Sequence, residues 1–309
     1  MKTIADGVWP TMITPFNKDG SIDYGTLEKL VDWYVERGVA GLFAVCQSSE
    51  MFFLSLRERV ALSQACVKAA RGRVPVIASG HVAETMDDQV EEARLMADTG
   101  VQAVVLLTNR FARHDEDNDA FRLRLEQFLA RMPEDILLGF YECPAPYKRL
   151  LSPELMKFCV ESGRFGFLKD TSCRMDDITA KLAIAKGSNF KLFNANAATL
   201  LESLKAGAAG YSGVMTNFHA DLYSWLCANW FADPGRAGEL QDFLGLASVI
   251  ESQYYPVNAM YALSLEGIPF ELVSRRADPS RFSSGMKLEV EQMMRISHTY
   301  SARFKVGRA

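Results

Sequence analysis

Residues 136–141 (ILLGFY), 152–162 (SPELMKFCVES) and 166–169 (GFLK) form a strand–helix–strand pattern that is typical of a parallel sheet. The two apolar runs are continuous rather than alternating, as expected for strands that are buried on both faces. Ser152 is a residue type that caps helices, and Pro153 follows it at the first helical position, which does not need an N–H group. This stretch therefore predicts one complete β-α-β unit.

The same alternation continues in both directions along the chain. We predict further strands at 8–13, 41–45, 74–79, 103–107, 191–194 and 209–213. We predict further helices at about 23–37, 56–71, 85–99, 116–131, 174–186 and 196–206, with another beginning near 218. Eight such units predict an α/β fold of the (β/α)8, or TIM, barrel type. A doubly wound open sheet is the alternative, but no GxGxxG follows the first strand and no GxxxxGK[ST] loop occurs.

The pattern changes near Asp233-Pro234-Gly235, where a turn-forming dipeptide interrupts the alternation. Beyond this point helical segments follow one another without intervening strands. We therefore predict a barrel over 1–233 and a C-terminal helical extension over 234–309.

Composition limits the classes of function. The chain has 309 residues, and 34 Lys and Arg against 38 Asp and Glu give a net charge of −4, which argues against nucleic-acid binding. No window is apolar for long enough to cross a membrane, and the N-terminus lacks the apolar core of a signal peptide, so we expect a cytoplasmic protein. The six cysteines are scattered without a CxxC pair, which indicates reduced thiols rather than disulfides or a zinc site.

Catalytic groups of such barrels lie at the carboxyl ends of the strands. Lys169 ends an apolar run, where it is either a salt-bridged structural residue or a functional amine. Desolvation would lower its pKa and give a nucleophile that suits imine chemistry. Tyr141 ends the preceding strand, about 4.8 Å away in a barrel, and is either a core tyrosine or a proton-transferring phenol.

Other polar groups also follow strands. Ser48 and Ser49 offer hydroxyl and N–H groups that suit a small carboxylate, although ordinary loop capping is equally open. The stretch 207–213 is rich in glycine, which favours close packing around a strand over a phosphate-binding loop. The four histidines and the isolated carboxylates show no metal-ligand spacing, so we expect no metal site.

Several motifs, taken in order, resemble those of the dihydrodipicolinate synthase / N-acetylneuraminate lyase family of class I aldolases. They are Thr14-Pro15-Phe16, CQSSE at 46–50, YECP at 141–144, Leu168-Lys169-Asp170 and GYSGV at 210–214. The resemblance covers most of the chain, including the helical tail. It implies that Lys169 forms the Schiff base and that Tyr141 transfers protons.

The resemblance further implies that Gln47, Ser48 and Ser49 hold the carboxylate of a 2-oxo acid, and that the backbone at Ser212 lines the same pocket. It implies a lyase without metal or cofactor, either an aldolase or a dehydratase, that acts on a pyruvate-like 2-oxo acid and an aldehyde or sugar-acid-derived partner. It also implies a homo-oligomer, a dimer or a homotetramer.

Two positions depart from the dihydrodipicolinate synthase pattern. Phe111 lies where those enzymes have a tyrosine pair, and Pro146 lies where they have an arginine that binds the second substrate. Together with Cys143 and Cys173, these residues predict a more apolar and less anion-binding acceptor pocket, and an activity other than dihydrodipicolinate synthesis. A non-catalytic protein that binds a 2-oxo acid, and a barrel enzyme for a phosphorylated metabolite, stay open as alternatives.

Overall fold

The computed structural model describes residues 3–306. Eight parallel strands form one sheet in the order β1-β8-β7-β6-β5-β4-β3-β2. The strands are β1 (Gly7–Val8), β2 (Leu42–Phe43), β3 (Val76–Ala78), β4 (Ala103–Leu107), β5 (Leu138–Tyr141), β6 (Phe165–Asp170), β7 (Lys191–Asn194) and β8 (Gly210–Tyr211). Each prediction of a strand is matched by one of these, although β1, β2 and β8 are shorter than the apolar runs that contain them.

The sheet closes between its first two strands. Thr11 and Phe43 form a parallel bridge, the Met12 N–H donates to the Phe43 oxygen at 3.1 Å, and the Phe43 N–H donates to the Pro10 oxygen at 3.0 Å. At the seam between β8 and β1, a methyl group on Gly210 would lie 1.8 Å from the Gly7 oxygen. The predicted barrel is therefore confirmed, and a glycine of the 207–213 stretch allows two strands to pack closely.

Eleven helices accompany the strands within residues 3–306. Those that follow strands are α1 (Tyr24–Glu36), α2 (Leu56–Ala70), α3 (Met86–Ala97), α4 (Asn118–Leu129), α5 (Pro153–Ser162), α6 (Met175–Ala185), α7 (Leu200–Lys205) and α8 (Thr216–Asn229). The predicted cap Ser152 accepts a hydrogen bond from the Leu155 N–H, with Pro153 at the first helical position. The helix expected from 196 starts later, because Asn196 accepts from the Thr199 N–H in a turn.

The C-terminal region contains α9 (Pro234–Ala247), α10 (Val257–Leu265) and α11 (Ser284–Phe304). All three contact α8 or α7 of the barrel, directly or through one another. The predicted helical extension is therefore present, whereas its separation from the barrel at 233/234 stays a prediction that includes residues outside 3–306. No helix within 3–306 combines the length and apolarity needed to span a bilayer.

Aromatic rings fill the barrel interior. Phe167 stacks on Phe193 with ring centroids 4.7 Å apart, and its ring meets Trp9 edge-on at 6.0 Å and Phe43 edge-on at 5.9 Å. Stacked and edge-on contacts between aromatic rings are favourable, and they hold these four side chains in one arrangement. This aromatic layer contacts Tyr141, because the Phe43 and Tyr141 ring centroids are 5.9 Å apart. It therefore packs directly below the polar residues at the carboxyl ends of the strands.

Candidate functional site

Two side chains predicted to act together are adjacent in the sheet. Tyr141 is paired with Lys169 in the register of β5 and β6, at the carboxyl end of both strands. The Lys169 Nζ lies 4.5 Å from the centroid of the Tyr141 ring. Because neighbouring residues of paired parallel strands point to the same face, both side chains enter the barrel mouth.

The Lys169 amine is in an unusual environment for a lysine. The residue is 3% exposed, and its Nζ forms no salt bridge with any residue in 3–306. Burial lowers the pKa of this amine, while Cys46, Cys143 and Glu251 oppose the shift. The structural alternative, a lysine held by a carboxylate, is thus not what the structure shows.

The loop after β2 contributes its first residues to the site. Gln47 Oε1 accepts a hydrogen bond from the Tyr141 hydroxyl at 3.3 Å and from the Cys143 thiol at 3.4 Å. Gln47 and Ser48 lie at the start of a 3-10 helix, Gln47–Ser49, and both line a cavity with Lys169. Their backbone N–H groups donate no hydrogen bond within 3–306, which leaves them available for a carboxylate.

Ser49 faces the opposite way. Its hydroxyl bonds to the carbonyl oxygens of Met12, at 2.7 Å, and Ala44, and it accepts from the Cys46 N–H at 3.2 Å. A 3-10 helix turns once in about three residues, so Ser49 returns toward the barrel wall while Ser48 faces the cavity. The structure therefore places Ser49 in a structural role that anchors the loop.

The hydroxyl and N–H groups of Ser212 both form hydrogen bonds within the barrel. Its hydroxyl donates to the Trp9 oxygen at 2.9 Å, and its N–H donates to the Asn194 oxygen at 2.8 Å. The cavity wall beside it is formed by Gly213 and Val214. Ser212 is not among the residues that line the cavity, whereas its two successors are, and a contribution of the Ser212 backbone to ligand binding stays a prediction.

The cavity has a volume of about 310 Å³ and is lined by both polar and apolar side chains. Sequence reasoning missed four of its polar lining residues: Lys148, Glu251, Tyr255 and Arg276. Lys148 donates from Nζ to the Thr171 oxygen at 2.8 Å. The basic side chains of Lys148 and Arg276 therefore line the cavity together with the carboxyl group of Glu251, and the expectation of a less anion-binding acceptor pocket stays a prediction.

Two residues behind that expectation lie elsewhere. Phe111 is fully buried and stacks on His81 with ring centroids 5.3 Å apart, away from the cavity lining. Pro146 lines two neighbouring clefts beside Arg110. Phe111 and Pro146 therefore do not line the cavity that contains Lys169, and the apolar surface that they form lies next to it.

A chain of hydrogen bonds connects the C-terminal region to the barrel at the site. The Tyr34 hydroxyl donates to Asn217 Oδ1 at 2.5 Å, and Asn217 Nδ2 donates to the Tyr255 oxygen at 3.2 Å. The Ser48 side chain also forms a hydrogen bond with the Tyr255 phenol. Burial raises the pKa of this phenol, and the contact with Ser48 partly opposes that rise. Tyr255 thereby connects Ser48 to Asn217 and Tyr34, and Tyr255 and Ser48 both line the cavity.

A buried ion cluster lies behind the two strand ends. Lys181 of α6 donates from Nζ to Glu142 and, at 2.6 Å, to Asp170, the residues that follow Tyr141 and Lys169. Glu142 further accepts from the Leu151 N–H at 2.8 Å and the Thr171 N–H at 3.0 Å. Burial raises the pKa of Glu142 to about 7. The cluster therefore fixes the chain directly after Tyr141 in β5 and directly after Lys169 in β6.

The ionisable side chains of the described residues are dispersed with respect to metal binding. Within 3–306, no group of three or more His, Cys, Asp and Glu side chains is arranged to hold a metal ion. The buried His81 accepts from the Leu107 N–H at 3.1 Å and contacts Gln89, so it belongs to the packing of the barrel.

The sequence identifies the family of the chain. The sequence model of the Dihydrodipicolinate synthetase family matches residues 5–295. A curated 4-hydroxy-tetrahydrodipicolinate synthase of Acidithiobacillus ferrooxidans is 26% identical over 294 residues, which are 94% of this chain and 94% of that protein.

Solved structures share the fold. One is a dihydrodipicolinate synthase of Acinetobacter baumannii, complexed with pyruvate, with a TM-score of 0.85 at 21% identity over 96% of this chain and 99% of that one. Another is YagE, a prophage protein of E. coli K12 in complex with pyruvate, with a TM-score of 0.85 at 21% identity over 95% and 98%. The chain belongs to the dihydrodipicolinate synthetase family.

Proposed function

We propose that this protein is a metal-independent class I lyase that binds a 2-oxo acid such as pyruvate as a Schiff base on Lys169. The observation that carries the proposal is the buried Lys169 amine, free of a salt bridge within 3–306 and 4.5 Å from the Tyr141 ring in a polar cavity. A lysine that is desolvated without a counter-ion is the form of amine that attacks a carbonyl carbon. Two solved relatives hold pyruvate, which supports the choice of ligand.

The first steps use side chains of this chain. The neutral Lys169 amine adds to the ketone carbon, and the Tyr141 hydroxyl protonates the hydroxyl group that leaves as water. The carboxylate of the 2-oxo acid binds the backbone N–H groups of Gln47 and Ser48, because these donors are free within 3–306 and lie at the same cavity, and the Ser48 hydroxyl exchanges its contact with Tyr255 for the carboxylate. Iminium formation then acidifies the adjacent C3 position, from which an enamine forms.

The second substrate differs from that of dihydrodipicolinate synthases. The hydroxyl group of their tyrosine pair has no counterpart at Phe111, and the Pro146 position has no cation. Lys148 and Arg276 instead bring positive charge to the cavity from other segments. We infer an aldehyde or a sugar-acid-derived partner, joined or released in an aldolase or dehydratase reaction. A homo-oligomer, of two or four copies, and a cytoplasmic location remain part of the proposal.

Borohydride reduction in the presence of pyruvate tests the imine. We expect a covalent adduct on the peptide that contains Lys169, and no adduct in the Lys169→Met variant. The exposed Lys157 provides the matched control, because Lys157→Met removes a lysine far from the cavity and should leave the adduct intact. Absence of the adduct at saturating pyruvate would refute the proposal. Protection of the protein by pyruvate against heat, without an adduct, would then favour the non-catalytic alternative.

A further inference from the structure

A second cavity lies beside the one that contains Lys169. It has a volume of about 290 Å³ and shares two lining residues, Gln47 and Arg276, with the Lys169 cavity. Pro144 lines the Lys169 cavity, and the two residues that follow it along the chain line the second one. We call this second cavity the side cleft. A molecule whose reacting end lies near Lys169 can therefore extend past Gln47 into the side cleft.

The wall of the side cleft is mainly apolar. Its apolar lining residues are Phe52, Phe53, Ala145 and Pro146. Phe53 is 48% exposed, so its ring presents apolar surface to a molecule in the cleft. An apolar cavity of about 150 Å³ accepts a benzene molecule, and the side cleft is therefore large enough for an aromatic ring.

Arg110 contributes a largely buried cation to the side cleft. Only 13% of its side chain is exposed, and its salt bridge with the exposed Glu84 is 4.0 Å long. Its guanidinium carbon lies 5.8 Å from the centroid of the Phe52 ring, and its buried Nε donates no hydrogen bond within 3–306. This guanidinium group is therefore held by an aromatic ring rather than by a close ion pair.

Arg276 lies at the junction of the two cavities. Its N–H donates to Glu50 Oε2 at 2.7 Å, which fixes this segment to the loop after β2. The guanidinium group of the preceding Arg275 donates to both carboxylate oxygens of Glu58, at 2.6 and 3.1 Å, whereas that of Arg276 forms no hydrogen bond or salt bridge within 3–306. Planar guanidinium groups stack on aromatic rings, so Arg276 is available to a ring in the cleft.

We propose that the side cleft binds the second substrate and that this substrate is an aldehyde with an aromatic tail. The inference rests on the proposed function, because the aldehyde carbon must lie beside C3 of the pyruvate bound to Lys169. The ring packs on Phe53 and Pro146, while the carbonyl end enters the Lys169 cavity past Gln47. Pro146 thus supplies apolar surface where dihydrodipicolinate synthases have an arginine, which favours a ring over a charged tail.

The test compares three aldehydes in the pyruvate-dependent reaction: benzaldehyde, succinic semialdehyde with its acidic tail, and glycolaldehyde with only a hydroxymethyl group. In the wild type we expect kcat/KM for benzaldehyde to exceed the other two at least about tenfold, because a ring-sized apolar group leaves water. In Phe53→Ser the KM for benzaldehyde should rise about fivefold or more, while borohydride trapping of pyruvate and the melting temperature stay unchanged. Phe53→Leu keeps apolar surface and should restore most of the affinity.

The matched control is Phe231→Ser, which replaces a phenylalanine that is 82% exposed and lines neither cavity. This variant should react like the wild type. An unchanged KM for benzaldehyde in Phe53→Ser would overturn the inference, and dissociation of an oligomer in the same variant would then identify a second copy of the chain as the occupant of the cleft.

The wild type separates this inference from the proposed function. If the wild type traps pyruvate on Lys169 but uses succinic semialdehyde or glycolaldehyde as well as benzaldehyde, the inference is overturned and the proposed function stands. Trapping without consumption of any of the three aldehydes has the same consequence. Absence of trapping would overturn the proposed function and this inference together.

Discussion

Replacement of Lys181 by methionine should destabilise the protein strongly, because it breaks the buried ion cluster behind the site. The Lys181 side chain is 3% exposed, and the side chains of Glu142 and Asp170 are fully buried. Without Lys181, two carboxylates stay in the interior with no cation bonded to them. Removing one partner of a buried ion pair costs about 3–5 kcal/mol of unfolding free energy.

That cost can be measured by thermal denaturation. A chain of this size loses about 2 °C of melting temperature per kcal/mol, so the Lys181→Met variant should melt about 6–10 °C below the wild type. Methionine has nearly the length of lysine, which limits any cavity left behind. The exposed Lys157 pairs with Glu161 on α5 at 3.8 Å, and Lys157→Met should cost less than about 0.5 kcal/mol.

The pH dependence of the stability lost in Lys181→Met provides a second test of the same reasoning. Burial raises the pKa of Glu142 to about 7 in the folded protein, and the Lys181 cation holds it below the value that burial alone would give. In Lys181→Met the pKa therefore rises further, and Glu142 is protonated in the folded variant at pH 5. At pH 8 the folded variant must either ionise this carboxyl without its cation or keep a proton that the unfolded chain has released. The cost of the substitution should thus be larger at pH 8 than at pH 5.

The double variant Lys181→Met/Glu142→Gln separates charge from packing. It removes one charge of each sign, so its loss of stability should be smaller than the sum of the two single losses. A cost of Lys181→Met below about 1 kcal/mol, or one that does not change between pH 5 and pH 8, would refute the reasoning.

Three further predictions concern the imine site. Tyr141→Phe should slow borohydride trapping of pyruvate by about a hundredfold without abolishing it, because the phenol assists proton transfer but forms no covalent bond; trapping at the wild-type rate would remove Tyr141 from the mechanism. The trapping rate of the wild type should rise with pH and level off below the ordinary lysine pKa of about 10.4, because burial lowers the pKa of Lys169 and only the neutral amine attacks; a rise that continues beyond that pH would contradict this. Ser48→Ala should weaken pyruvate binding by about fivefold at unchanged melting temperature, whereas Ser49→Ala should cost about 1–3 kcal/mol of stability at unchanged binding, and the reverse pattern would exchange their roles.

The sequence was sufficient to predict the fold and the adjacency of Tyr141 and Lys169. Parallel strands end at one edge of a barrel, so two polar residues that terminate consecutive apolar runs must meet there, as Tyr141 and Lys169 do. These inferences needed only local patterns and the geometry of the fold.

Side chains whose direction depends on a tight turn or a distant segment could not be predicted in this way. Ser48 and Ser49 are adjacent and chemically identical, and only the 3-10 turn decides that one faces the cavity and the other the wall. Glu251, Tyr255 and Arg276 come from the helical extension, whose position over the barrel mouth is set by tertiary packing. No local pattern in that extension marks them as parts of the site.

The alternation of side chains along β5 and β6 explains how two acids can directly follow Tyr141 and Lys169 while burial still lowers the pKa of the Lys169 amine. Tyr141 and Lys169 face the barrel interior, so the next residues, Glu142 and Asp170, face the helices. Their charge is met there by Lys181, and it is absent from the influences on the pKa of Lys169, which is governed by burial. If either carboxylate faced inward, it would stabilise the ammonium form of Lys169 and raise its pKa. The ion cluster thus holds both strand ends in place while keeping its negative charge away from the amine.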